Sequence, residues 1–171
     1  SILGPEALFN ALKNSFSPKL SVKFISNIDP DNCLSCLQSI TPETTLFIIV
    51  SKSGSTEETS ENMSLIKSFL NENGISEDQQ SKHFISITTP KSNIDDDSLF
   101  SHRFYIDESI GGRYSSTSAV GLVLLTLAFG EDPISSFLKG AYDMDMEAQN
   151  SKITENAPLL AALIGVWERS I

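Results

Sequence analysis

Leu46-Phe47-Ile48-Ile49-Val50, followed at once by Ser51-Lys52-Ser53-Gly54-Ser55-Thr56, is the stretch on which the reading of this sequence turns. Five consecutive apolar residues, largely β-branched and without polar alternation, mark a strand covered on both faces at the centre of a sheet. Small hydroxyl residues then break the run. From Thr56 to Asn73, Met63, Ile66, Phe69 and Leu70 recur at helical spacing until Asn73-Gly74 ends the helix. Strand, polar turn and helix in that order form the first part of a βαβ unit.

Working outward, the same alternation repeats. Ser21–Ser26 (SVKFIS) reads as a strand ending in the turn Asn27-Ile28-Asp29-Pro30. Phe84–Thr88 and Arg103–Ile106 read as two more. Helices are expected at Leu3–Phe16, with Pro5 in the first turn, and at Asp31–Ile40. After the last strand, helices follow at Ser115–Phe129, at Pro133–Ala148 and from Ala157 to the end. The expectation is an α/β fold with a mainly parallel sheet and a helical C-terminal part, residues 1–171 forming one domain.

Composition narrows the partners. Hydrophobic residues at 40% and charged residues at 20% fit an ordinary folded domain. Twelve basic residues against 22 acidic ones, a net charge of −10, argue against nucleic acid, because such binding needs many cations to displace counterions. The longest apolar run, Gly121–Phe129, is about half of what a membrane-crossing helix needs, so no membrane partner and a cytoplasmic location are expected. Cys33 and Cys36 form a CxxC, but three apart in a helix they share a face, and packing is favoured over redox chemistry. His83 and His102 lie far along the chain near strand-like segments, and an ordinary surface or core place is expected for each rather than a zinc site. Asp95-Asp96-Asp97 reads as a solvated loop or short turn rather than a metal site, so no metal is expected.

The chemistry gathers at two loops. The first, Ser51 to Thr59, follows the apolar strand and opens a helix, where ligands of open α/β sheets bind and where helix N–H groups attract anions. Gly54 allows close approach of the backbone. The hydroxyls of Ser51, Ser53, Ser55 and Thr56 can donate to phosphate oxygens, and Lys52 adds a local cation. Ser55 with Glu58 three residues later also matches a capping box, which could account for part of the pattern. The second loop, Glu108 to Gly121, places Gly111-Gly112 before Arg113. Two glycines permit a sharp turn with exposed N–H groups, and the arginine presents a fixed cation. No GxGxxG follows a strand, so a dinucleotide site is disfavoured and no cofactor is expected.

With both loops in view, the chain resembles the glucose-6-phosphate isomerase family, specifically its smaller sugar-isomerase (SIS) domain. The resemblance is carried by SKSGSTEET, ESIGGRYSSTSAVG, Ser1-Ile2-Leu3-Gly4-Pro5, Ser26-Asn27-Ile28-Asp29 and Asn156-Ala157-Pro158. It implies a three-layer α-β-α sandwich of the flavodoxin-like, doubly wound kind. It also implies that Ser1, Ser51, Lys52, Ser53 and Thr56 hold a sugar phosphate, glucose 6-phosphate or fructose 6-phosphate. Gly112 and Arg113 would face the sugar, Arg113 stabilising the negative charge of a cis-enediol intermediate, with Glu58 supporting the site. The family's catalytic glutamate, in a Gln-x-x-x-Glu segment, and its later histidine and lysine are not in these 171 residues. The expectation is therefore a domain excised from a longer, two-domain, homodimeric isomerase and inactive on its own. A sugar-phosphate-sensing SIS regulatory module is the alternative; it shares the first loop but has no use for Arg113 at an enediolate.

Overall fold

The computed structural model describes residues 2–27 and 29–170. Ser1, and Ile28 within the expected turn Asn27-Ile28-Asp29-Pro30, therefore lie outside the described residues. The chain divides into two compact units, Ser1–Phe129 and Gly130–Ile171.

The first unit is built on a three-stranded parallel sheet in the order β1 (Phe47–Val50), β2 (Phe84–Thr88), β3 (His102–Tyr105). Phe47 lies opposite Phe84 and Val50 opposite Ile87; Ile85 lies opposite His102 and Thr88 opposite Tyr105. Side chains alternate between the faces. Phe47, Ile49 and Phe84 meet Cys33 and Leu37 of α2 (Pro30–Gln38) and Ile66 and Leu70 of α3 (Glu57–Glu72). On the other face Ile48, Val50 and Ile87 meet Val120 and Val123 of α5 (Ala119–Phe129). Helices on both faces of a parallel sheet give the expected α/β layering. α1 (Leu3–Leu12) packs on α5, with Phe9 against Phe129 at 5.4 Å between ring centres. α4 is the single turn Glu77–Gln80. The second unit pairs α6 (Glu131–Ala148) with α7 (Ala157–Glu168), where Pro158 sits in the first turn and the Asn156 side chain accepts from the Leu159 N–H.

The sequence expectations need four corrections. Among the described residues β1 lies at an edge, and β2, buried at all five positions, is the central strand. Continuous apolarity reports coverage of both faces, not rank in the sheet. Ser21–Ser26 is not a strand, because an extended segment needs a neighbour to pair its backbone and none runs beside it among the described residues. Phe24 still packs, edge-on to Phe9 at 5.9 Å. α1 stops at Leu12, where the N–H groups of Ser15 and Phe16 fold back onto the Leu12 carbonyl ahead of Ser17-Pro18. Residues Gly112–Thr117 form a 3-10 helix, so α5 starts at Ala119 rather than Ser115, with Ser118 Oγ accepting from the Val120 N–H at 3.3 Å.

Candidate functional site

β1 leads directly into the first loop. Ser51 keeps the ladder going by donating its N–H to the Ile87 carbonyl at 3.2 Å. Beyond it the hydroxyl of Thr88 donates to the Ser51 carbonyl at 2.7 Å, and that of Thr89 to the Lys52 carbonyl at 2.8 Å. The loop then turns at Gly54, whose φ of +69° suits glycine. A Cβ there would also sit 2.8 Å from the backbone nitrogens of both Asn93 and Ile94.

Within the loop the hydroxyls bind one another. Ser51 Oγ accepts from the Gly54 N–H at 3.1 Å and lies 3.0 Å from Thr56 Oγ1. Ser53 Oγ accepts from the N–H of Ser55 at 3.2 Å and from its hydroxyl at 2.8 Å. The capping box that the Ser55 and Glu58 spacing matches is not formed. Thr56, not Ser55, is the N-cap of α3, and no side chain among the described residues caps the helix. The first N–H groups of α3 are therefore left for another acceptor. Glu58 is exposed in that first turn and makes no ion pair or side-chain hydrogen bond among the described residues.

The second loop begins after β3 and buried Ile106. Asp107 accepts the Ser109 N–H at 2.8 Å and its hydroxyl at 2.5 Å. Those bonds, with a smaller contribution from the Lys52 charge, hold its carboxyl below the usual carboxylate range. Gly111 adopts ordinary extended backbone, with a φ of −73°, and the turn falls on Gly112 and Arg113, where the 3-10 helix begins and the Tyr114 N–H donates to the Gly111 carbonyl at 3.0 Å. Ser115 closes it by donating to the Gly112 carbonyl at 2.7 Å. Arg113 and Tyr114 stand exposed, and Arg113 makes no ion pair among the described residues.

Lys52 joins the two loops. Its ammonium donates to the carbonyl of Glu108 and to that of Ile110, the latter at 3.3 Å. Lys52 thus ties the loop from Ser51 to Thr56 to the stretch Glu108–Ile110 that leads into Gly112-Arg113, at the carboxyl ends of the strands. The segment after Ser1 reaches the same region, because a Cβ on Gly4 would lie 2.0 Å from Ser116 Oγ. Beside the second loop, Pro90, Lys91, Tyr105, Ile106, Asp107 and Glu108 line a shallow open groove. Among the described residues no three His, Cys, Asp or Glu side chains gather as a metal would require. Cys33 and Cys36 are free thiols on α2, and Cys33, in the core, is pushed up by burial and by Cys36. The contacts of Thr88 and Thr89 with the carbonyls of this loop were not anticipated from the sequence. The available signal was a Thr-Thr pair closing an apolar strand parallel to the one that feeds the loop.

A model of the phosphoglucose isomerase family matches residues 1–171. The chain belongs to that family. It is 48% identical over 171 residues to the glucose-6-phosphate isomerase of Treponema denticola, covering 100% of this chain and 32% of that protein. The crystal structure of a glucose-6-phosphate isomerase from Chlamydia trachomatis is 42% identical, with a TM-score of 0.93 over 98% of this chain and 32% of the other. A hypothetical protein from Thermus thermophilus is 31% identical, with a TM-score of 0.80 over 95% of this chain and 38% of the other. The chain therefore spans about a third of the length of the phosphoglucose isomerases it matches. No helix among the described residues is long and apolar enough to cross a membrane.

Proposed function

We propose that this chain is the sugar-phosphate-holding SIS domain of a cytoplasmic glucose-6-phosphate isomerase, homodimeric at full length. That enzyme interconverts glucose 6-phosphate and fructose 6-phosphate through a cis-enediol. The observation that carries the reading is the bridge made by Lys52. In a member of this family it ties a loop of hydroxyls and unsatisfied helix N–H groups to the loop bearing Arg113.

In this reading Ser51, Lys52, Ser53 and Thr56, with Ser1, surround the phosphate. The α3 N-terminus contributes its dipole, and each charge-assisted bond is worth roughly 1.5 to 3 kcal/mol. Arg113, exposed and without an ion pair among the described residues, faces the sugar beside Gly112 and stabilises oxyanion charge as a proton moves between C1 and C2. Glu58 lies at the α3 start as a supporting group. The general base is supplied from outside these 171 residues, so the chain alone binds without isomerising.

Calorimetric titration with glucose 6-phosphate and with a sugar-acid phosphate mimicking the enediolate tests this. Lys52→Ala should abolish binding of both, and Arg113→Ala should weaken mainly the mimic. Failure of the folded chain to bind either ligand, or turnover by the chain above that of the two variants, would refute the respective part of the reading.

A further inference from the structure

The loop after β1 departs from strand geometry in one specific way. In a strand successive carbonyls point to opposite sides, yet those of Ser51 and Lys52 both turn towards the end of β2. Thr88 Oγ1 holds the first at 2.7 Å and reaches the second at 3.3 Å. Thr89 holds the second twice, through its hydroxyl at 2.8 Å and its N–H at 3.3 Å. Both threonines are buried. Thr88 Oγ1 is itself paired with Ser92 Oγ at 2.6 Å.

A trans peptide points its N–H opposite to its C=O. Pinning the Ser51 carbonyl therefore fixes the Lys52 N–H, and pinning the Lys52 carbonyl fixes the Ser53 N–H. Two successive N–H groups face the same way, away from β2, and neither has a protein acceptor among the described residues. Successive convergent N–H groups of this kind make an anion-binding nest.

We propose that Thr88 and Thr89 are positioning residues of the phosphate site, holding the Ser51 and Lys52 carbonyls so that the N–H groups of Lys52 and Ser53 bind the phosphate. The inference rests on the phosphate reading of that loop and adds the donors and the residues that aim them. The threonines touch no ligand. They act through the two peptide planes, and the hydroxyl, not the β-branch, is what the role requires.

The test is an amide NMR titration of the folded chain with glucose 6-phosphate, in wild type, Thr88→Val, Thr89→Val and the hydroxyl-keeping Thr88→Ser. In wild type the Lys52 and Ser53 amides should move among the most of any in the chain. Each valine variant should bind about tenfold more weakly, with those two shifts reduced while the amides of Glu57 and Glu58 still respond. Thr88→Ser should restore both affinity and shifts. Wild-type affinity in the valine variants, or wild-type binding that leaves the Lys52 and Ser53 amides unmoved, overturns the proposal while leaving the phosphate site standing. No binding by folded wild type removes the phosphate reading and this inference together. If the valine variants do not fold, the wild-type shifts and the Thr88→Ser affinity decide.

Discussion

Ser86 sits in the middle of β2 with its hydroxyl fully buried and without a partner among the described residues. A buried donor that makes no bond costs free energy, whereas a methyl group in the same place does not. Ser86→Ala should therefore be neutral or stabilising by up to about 1 kcal/mol in urea unfolding, and a loss of more than about 2 kcal/mol would show that the hydroxyl is bonded. Gly54 is the opposite case. Its positive φ costs an alanine roughly 1–2 kcal/mol, and the added Cβ would press on the Asn93 and Ile94 backbone, which cannot yield as a flexible side chain can. Gly54→Ala should lower the unfolding midpoint by at least that amount and weaken glucose 6-phosphate binding with it. An alanine variant as stable and as tight as wild type would mean that the 92–94 segment does not brace the loop.

At the scale of elements, one carboxylate ties together three points of the connection from β2 to β3 and of β3 itself. Asp95 accepts from the Lys91 N–H at 2.8 Å and the Tyr105 hydroxyl at 2.8 Å, and pairs with Arg103 at 3.3 Å. Asp97 shares the same guanidinium at 3.8 Å. The Lys91 N–H, then Tyr105 and Arg103, hold the Asp95 carboxyl below its ordinary range, as Ser98 does for Asp96. A depressed carboxylate stabilises the fold above its unfolded pKa of about 3.9, and that stability is lost as pH falls through the lower folded value. Urea midpoints should hold from pH 7 to about pH 5 and drop below about pH 4, and Asp95→Asn should be less stable at pH 7 with a flatter acid limb. An unchanged acid limb would remove Asp95 from that role. What the sequence made legible follows from the same elements. Phe84–Thr88 was readable to the residue, because Phe84, Ile85, Ile87 and Thr88 are the aromatic and β-branched residues that strands favour and polar residues flank them on both sides. Both loops were readable from Ser, Gly, Lys and Arg placed after strands. Ser21–Ser26 was not, because alternation shows a segment able to be a strand but not whether a neighbour exists to pair it. Nor were Thr88 and Thr89, whose part is set by a crossover that brings them beside Ser51 and Lys52 from 36 to 37 positions away.

For the whole molecule, the distribution of the site decides where ligand binding is felt. Every candidate site residue, from Ser51 to Arg113 and including Ser1, belongs to Ser1–Phe129, and Gly130–Ile171 contributes none. A net charge of −10 opposes a phosphate dianion at long range, but exposed charges more than about 8 Å away are largely screened at physiological salt, so the local donors dominate. A ligand bound only to the folded form stabilises it by about 2.7 kcal/mol at a hundredfold excess over its dissociation constant. The helices of the second unit have little of their own to respond with. α7 buries no residue, and Leu163, Ile164, Val166 and Trp167 are 47%, 53%, 65% and 65% exposed, so its amides open with few buried contacts to lose. Hydrogen exchange with saturating glucose 6-phosphate should therefore slow in residues 47–60 and 84–95 and at Gly112–Thr117. Gly130–Ile171 should exchange at its ligand-free rate, and glucose without the phosphate should protect nothing. Equal protection of both units would show that they open as one cooperative body, whereas protection by glucose alone would place recognition in the sugar rather than in the phosphate loop.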